Sequence, residues 1–295
     1  MKIDGTTTIY GIIGWPVKHS LSPLFQSRFL KQHDINAVYL PFAVAPDLLY
    51  QAMEGLWALG VQGFNVTVPH KESVFQMVEA DADARLIGAV NTVRRGDSGW
   101  LGTNTDWFGF KSVIDGLKVD VSAQQVVLFG AGGTSRAVLH ALAQLNPAQV
   151  HICNRNPDRL ARLITSARSS YPDLNCVPVS WQQDAVNAAC ADSCLLINTT
   201  SIGLQPEQDF PFTLSGQGAA IDAVYKPDGQ TAFTVAASQA GCLCVDGLPM
   251  LIAQGAAAFA WWHGCHHPDS SEALRYMQLY LGRKIKPLPG WEQTT

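Results

Sequence analysis

Val126-Val127-Leu128-Phe129-Gly130-Ala131-Gly132-Gly133-Thr134-Ser135 is the stretch from which the rest of the chain is read. Its first four residues are an apolar run of strand length. Beyond it, Arg136-Ala137-Val138-Leu139-His140-Ala141-Leu142 reads as a helix that buries one face. Strand, glycine turn and helix together are the context in which such a pattern signals a dinucleotide. Gly130 allows the tight turn, and Gly132 lets the backbone approach a pyrophosphate. The helix N-terminus then presents free N–H groups to the anion. Ser135 stands where the usual pattern has its last Gly, and glycine-rich turns also occur with no ligand.

The next strand narrows the reading. Gln149-Val150-His151-Ile152-Cys153 ends in Asn154-Arg155-Asn156-Pro157-Asp158-Arg159. An NAD site places an Asp or Glu here, about 20 residues beyond the glycines, to hold the ribose hydroxyl. Asn154 takes that place, with guanidinium groups following at Arg155 and Arg159. A carboxylate repels a 2′-phosphate, whereas Arg pairs with it bidentately. The expected cofactor is therefore NADP.

Composition sets the outer bounds. The 295 residues suffice for one large or two ordinary domains, and 47% hydrophobic against 15% charged residues describes a well-buried globular chain. A net charge of −4 with no basic run offers no field for nucleic acid. The apolar segment from Gly255 to Trp262 is too short to span a bilayer and reads as a buried helix. No membrane association is expected. Met1-Lys2-Ile3-Asp4-Gly5 lacks the apolar core of a signal peptide, so the expected compartment is the cytoplasm. Seven scattered cysteines suit reduced thiols. Cys242 with Cys244, and Cys265 with His266 and His267, lack the paired spacing of a zinc site, so no metal is expected.

Before the glycine turn, small polar residues recur on or just beyond strands. Ile9 to Gly14 is a strand running into Ser20-Leu21-Ser22-Pro23, where Ser22 is expected to cap a helix opened by Pro23. Two-residue spacing puts the Ser20 and Ser22 hydroxyls on one side of an extended segment. Ala37 to Phe42 is a second strand, and Asp47 to Leu59 a helix. In Gly63-Phe64-Asn65-Val66-Thr67-Val68-Pro69-His70-Lys71, Asn65 and Thr67 face opposite to Phe64, Val66 and Val68. Lys71 stands at the mouth of the next helix, expected from Ser73 to Leu86, where the dipole disfavours a cation. Lys71 is either simply exposed or an amine whose pKa is lowered for catalysis. A strand over Gly88 to Val93 carries Asn91, and the polar segment Gly102-Thr103-Asn104-Thr105-Asp106 follows. Small polar groups at the strand ends of an α/β sheet suit a pocket for a small polyhydroxylated molecule.

After the nucleotide strands, Ser193 to Asn198, Ala219 to Asp222 and Cys242 to Val245 alternate with helices at Asp158 to Ser169 and Thr231 to Gln239. That alternation predicts a parallel, doubly wound sheet. Helices at Met250 to His263 and Ser271 to Leu281 close the chain, the first carrying Gln254.

Taken in order, these blocks resemble the shikimate dehydrogenase family, which includes the quinate/shikimate dehydrogenases. The resemblance rests on Ser20-Leu21-Ser22-Pro23, Asn65-Val66-Thr67-Val68-Pro69-His70-Lys71, Ala89-Val90-Asn91-Thr92 and Asn104-Thr105-Asp106. It continues through Gly130-Ala131-Gly132-Gly133, Asn154-Arg155 and Asp246-Gly247-Leu248-Pro249-Met250-Leu251 with Gln254. It implies an enzyme of aromatic amino-acid biosynthesis that reversibly reduces 3-dehydroshikimate to shikimate with NADPH. An N-terminal α/β substrate domain (1–106 with 247–295) would join a Rossmann-type NADP-binding domain (107–246). By the same resemblance Ser20, Ser22, Asn65, Thr67, Asn91, Tyr225 and Gln254 contact substrate. Lys71 and Asp106 act at the reacting hydroxyl. Gly130, Ala131, Gly132, Gly133, Thr134, Asn154, Arg155, Asn156, Arg159, Ala223 and Gly247 line NADP. The chain departs from the family's habit at Trp107, where a Gly is usual and a bulky ring could reshape the pocket. It departs again at Phe25-Gln26, often His-Asn, and at Pro249, often Gly. The alternatives are a quinate/shikimate dehydrogenase using NAD, or another ring acid, and a catalytically idle paralogue that senses NADPH. Oligomeric state is not readable from the chain, and a homodimer stands as an open expectation.

Overall fold

A computed structural model describes residues 3–204 and 208–291. In chain order the elements are β1 (Thr8–Gly14), α1 (Ser22–Gln32), β2 (Ala37–Ala43), α2 (Leu49–Ala58), β3 (Gly63–Val66), α3 (Lys71–Phe75), β4 (Glu79–Ala80), α4 (Ala82–Ile87), β5 (Thr92–Arg95) and β6 (Trp100–Thr103). There follow α5 (Asp106–Leu117), β7 (Gln125–Phe129), α6 (Gly133–Ala143), β8 (Gln149–Cys153), α7 (Pro157–Ser170), β9 (Cys176–Val179), α8 (Gln183–Cys190), β10 (Ser193–Asn198), β11 (Ala219–Asp222), α9 (Ala232–Gln239), β12 (Leu243–Val245), α10 (Leu248–His263) and α11 (Ser270–Tyr280). Among the described residues no helix is long and apolar enough to cross a membrane.

The chain divides into two compact units: the described residues of 1–106 with 254–269, and those of 107–253 with 270–295. Residues 247–253 and 270–291, grouped with the first unit in the sequence reading, pack with the second. Leu288 and Met250 are buried in its core beside Val113 and Ile114, and the Trp291 ring donates to the Ser112 carbonyl at 3.0 Å.

The first unit is built on a mixed sheet ordered β2-β1-β3-β5-β6-β4. The strands β2, β1 and β3 run parallel, while β3, β5 and β6 form an antiparallel run. One face packs Ile13, Phe64, Val66, Val93 and Trp100 against Met53 and Leu56 of α2. The single helix expected over Ser73 to Leu86 is in fact two short helices with β4 between them. Glu79 and Ala80 pair with Leu101 and Gly102 of β6, and the Asp81 carboxylate then caps α4 by accepting from the Ala84 amide at 2.9 Å. Ser22 does not cap α1 either. Leu21 holds that position, and Ser22 is the first helical residue. The segment before it is not extended, because the Ser20 amide turns back to the Val17 carbonyl and the Ser20 Oγ accepts from the Ser22 amide at 3.3 Å.

The second unit is a fully parallel sheet ordered β12-β11-β10-β7-β8-β9. Side chains alternate between its faces, so Val126 and Leu128 enter one core while Val127 and Phe129 enter the other. Burial on both faces explains why these strands read as unbroken apolar runs. Strand order reverses between β7 and β10, which makes the carboxyl ends of those two strands the switch point where such sheets bind ligands.

Candidate active site

In the first unit the polar residues singled out by sequence converge on Asn91, at the mouth of β5 and 2% exposed. Lys71, the first residue of α3, places its Nζ 2.5 Å from Asp106 Oδ2. Asp106, which opens α5, keeps its other oxygen 2.8 Å from Asn91 Nδ2. The same amide reaches Gln254 Oε1 of α10 at 3.1 Å and Thr105 Oγ1 at 3.0 Å. In return Asn91 Oδ1 accepts the Thr105 amide at 2.7 Å. The backbone at the acid is set by Asn104, whose Oδ1 accepts the Asp106 amide at 3.0 Å while its Nδ2 donates to the Ala89 carbonyl at 2.9 Å. Asn65, on β3, donates to Thr92 Oγ1 and to the Asn91 carbonyl, and accepts from the Tyr39 hydroxyl at 2.7 Å. Ser22 hydrogen-bonds the same phenol, whose pKa burial raises well above its ordinary value.

The Lys71 and Asp106 side chains are 13% and 7% exposed, so the pair is largely out of water yet reachable from it. The Asp106 carboxylate is held through both oxygens, by Lys71 Nζ on one and Asn91 Nδ2 on the other, which offsets part of the cost of taking the pair out of water. The network joins Ser22, Asn65, Lys71, Asn91, Asp106 and Gln254. Ser20 and Thr67 are not tied into it by side-chain bonds: the Ser20 hydroxyl serves the start of α1, and the Thr67 methyl lies over Gly14. Tyr225 belongs to the second unit, on the loop after β11.

Tyr39, Thr92 and Thr105 were not singled out from sequence as site residues. Thr105 adjoins Asp106 and was visible there, whereas nothing local marks Tyr39 as the partner of Asn65. The Trp107 ring packs on the second unit's core, its centroid 5.2 Å from that of His140. Phe25 and Gln26 are likewise structural. Phe25 lies against Gly255, where a Cβ would come within 2.4 Å of the ring, and Gln26 donates to the Gly255 carbonyl at 2.9 Å.

In the second unit the glycine turn leaves β7 at the switch point. Gly130 has φ +118°, and a Cβ there would lie 2.5 Å from Thr199 Oγ1, so both backbone and space demand glycine. Ser135, the departure from the pattern, braces the turn, since its Oγ accepts the Gly132 amide at 3.1 Å and contacts Thr199 Oγ1 at 2.7 Å. A Cβ on Gly132 would meet nothing within 4 Å, so open space faces this turn and the start of α6. Past β8, Asn156 caps α7 by accepting the Arg159 amide at 2.9 Å, and Asn154 Nδ2 donates to the Asn156 carbonyl at 2.8 Å. The Arg155 and Arg159 side chains are exposed there. Ala223 and Gly247 touch through their backbones, a Cβ on Gly247 falling 2.3 Å from the Ala223 carbonyl oxygen. Open glycine turn, helix N-terminus and two exposed guanidiniums fit a dinucleotide with an extra phosphate.

A parallel doubly wound unit with this turn, accompanied by a second α/β unit holding a buried amine and acid, defines a two-unit α/β protein of Rossmann type. Comparison with known proteins makes that more specific. Residues 12–93 match the shikimate dehydrogenase substrate binding domain, 114–202 the shikimate / quinate 5-dehydrogenase domain, and 247–272 the shikimate 5′-dehydrogenase C-terminal domain. The shikimate dehydrogenase (NADP(+)) of Crocosphaera subtropica is 38% identical over 88% of this chain and 92% of its own. The crystal structure of shikimate dehydrogenase from Aquifex aeolicus superposes with a TM-score of 0.82, at 37% identity over 93% of this chain and 98% of its own. That from Thermus thermophilus, solved in complex with NADP(H) and shikimate, gives 0.77 at 31% identity over 92% and 100%. The chain belongs to the shikimate dehydrogenase family.

Proposed function

We propose that this protein is an NADP-dependent shikimate dehydrogenase that interconverts 3-dehydroshikimate and shikimate, with Lys71 and Asp106 acting at the reacting oxygen. The observation that carries the proposal is the 2.5 Å contact between those two side chains, framed by Asn91 and Gln254. The names of the similar proteins support the same substrate and cofactor.

When bound, NADPH supplies the hydride that reduces the ring carbonyl. As negative charge builds on the carbonyl oxygen, the Lys71 ammonium donates a proton to it. In the reverse direction the neutral amine takes that proton from the hydroxyl. Asp106 holds Nζ in place and offsets its charge, and Asn91 fixes the carboxylate through its second oxygen. Ser20, Ser22, Asn65, Thr67, Asn91, Tyr225 and Gln254 are proposed to engage the ring's remaining hydroxyls and carboxylate, which orients the reacting carbon. The first unit thus serves as the substrate unit and the second as the NADP unit. There Gly130, Ala131, Gly132, Gly133 and Thr134 would hold the pyrophosphate, and Asn154, Arg155, Asn156 and Arg159 the adenosine phosphate. Ala223 and Gly247 would line the remainder. The described cysteines are all free thiols, in keeping with a cytoplasmic enzyme.

Steady-state kinetics with shikimate and quinate, each with NADP and NAD, test the assignment. Shikimate with NADP is expected to be the preferred pair, and Lys71→Ala is expected to lower turnover by about two to four orders of magnitude with NADP binding intact. Turnover retained in that variant, or a preference for quinate with NAD, contradicts the proposal.

A further inference from the structure

Arg283 lies beyond α11, far along the chain from every residue assigned a role above, yet its side chain is only 10% exposed. Its guanidinium uses all three nitrogens. Nη1 and Nη2 fork onto the Asp246 carboxylate at 3.2 and 2.8 Å, Nε donates to the Pro227 carbonyl at 2.9 Å, and Nη2 also donates to the Lys226 carbonyl. The Asp246 side chain is 7% exposed, so the pair is shielded from water. The segment bearing Arg283 is itself fastened. Gln278, near the end of α11, donates to the Lys286 carbonyl at 3.0 Å and accepts the Lys286 amide at 3.2 Å, while the Arg283 amide returns to the Gln278 carbonyl at 2.8 Å.

The two loops so gripped are those that carry Ala223, Tyr225 and Gly247. They already meet, because the Gly247 amide donates to the Val224 carbonyl at 2.9 Å. Asp222 anchors the first of them from beneath, accepting from the Val224 amide at 2.9 Å, from Asn198 at 2.8 Å and from the Thr231 hydroxyl. A planar fork can reach a carboxylate and two carbonyls at once, which a point-charge ammonium cannot.

We propose that Arg283 is a positioning residue: by clamping Asp246 to the Lys226-Pro227 turn it holds Ala223, Tyr225 and Gly247 where the reaction needs them. The inference rests on the reading under Proposed function, which assigns those three residues to cofactor and substrate.

The full chain bearing Arg283→Lys or Arg283→Gln tests it, with Asp246→Asn as a milder variant should either substitution impair folding. Expected in all three is a fall of about tenfold or more in kcat/KM for shikimate. Affinity for adenosine 2′,5′-bisphosphate, which occupies only the Arg155 and Arg159 end, stays within about twofold, while NADPH weakens more than the bisphosphate does. Lysine is expected to rescue no better than glutamine. Kinetic constants unchanged in folded Arg283→Lys overturn the proposal, as does equal weakening of NADPH and the bisphosphate, which marks general loosening of the unit. Should the parent chain turn over neither acid, the functional reading fails, and the ratio of NADPH to bisphosphate affinities alone decides the role of Arg283.

Discussion

Asn91→Asp isolates one bond in the candidate active site. The substitution keeps size and shape and leaves an oxygen to accept the Thr105 amide, so the backbone is expected to hold. What changes is the atom 2.8 Å from Asp106 Oδ1, where an N–H donor becomes a carboxylate oxygen. Two unit charges at that separation repel by about 6 kcal/mol at an effective dielectric constant near 20, equivalent to roughly four decades of proton affinity. Among the described residues Lys71 is the cation paired with Asp106. Its charge can balance one carboxylate and not two, so the second acid in the variant is expected to take up a proton near neutral pH. An acid that has lost its charge no longer holds the Lys71 amine. Turnover with shikimate and NADP, followed by NADPH absorbance, is expected to fall about a hundredfold near pH 7. The deficit should shrink as rising pH removes that proton. Asn91→Leu, which loses the bond without gaining a charge, should slow turnover with no such pH dependence. A parental rate and pH profile in Asn91→Asp would refute the role given to the Asn91–Asp106 bond.

The remaining predictions concern the second unit. Arg155→Ala and Arg159→Ala are each expected to raise KM for NADP by about tenfold, the value of one charged hydrogen bond, and to leave KM for NAD within about twofold; equal effects on both cofactors would place the 2′-phosphate elsewhere. Burial, working against bonds from Thr231, Val224 and Asn198, pushes the Asp222 carboxyl up from 3.8 to about 7. The folded chain therefore binds more protons than the unfolded one between those values. The stability tied to this group is complete below that window and is lost as pH rises through it, by up to about 4 kcal/mol. Asp222→Asn should abolish that contribution, so a stability difference between variant and parent that stays flat from pH 5 to pH 8 in urea titrations would count against it. Gly130→Ala forces a side chain into φ +118° with its Cβ 2.5 Å from Thr199 Oγ1, and is expected to cost about 1–3 kcal/mol in urea unfolding with no change in slope.

Much of this protein was readable one segment at a time. The β7 strand, the glycine turn and α6 follow from a buried parallel strand meeting a helical period, with Gly130 at a backbone angle few other residues adopt. Lys71 at the mouth of a helix and the arginines beyond β8 are equally local. Each depends on neighbours within a few residues, which is what a period in the sequence records.

Contact with the rest of the fold decided what remained. The helix expected over Ser73 to Leu86 gives way at Glu79 because β6 offers a strand to pair with, and nothing near Glu79 announces that partner. Ser135 replaces a glycine because Thr199, from β10's end, meets its hydroxyl. Tyr39 joins the site through Asn65, and the Trp107 ring packs against His140. The sequence by itself determined which residues sit at strand ends and helix mouths, because dihedral preference and hydrophobic period are properties of short segments. Which of those polar groups share a proton, a carboxylate or a wall was decided only by the tertiary path, because a hydrogen bond reports distance in space and carries no trace in local pattern.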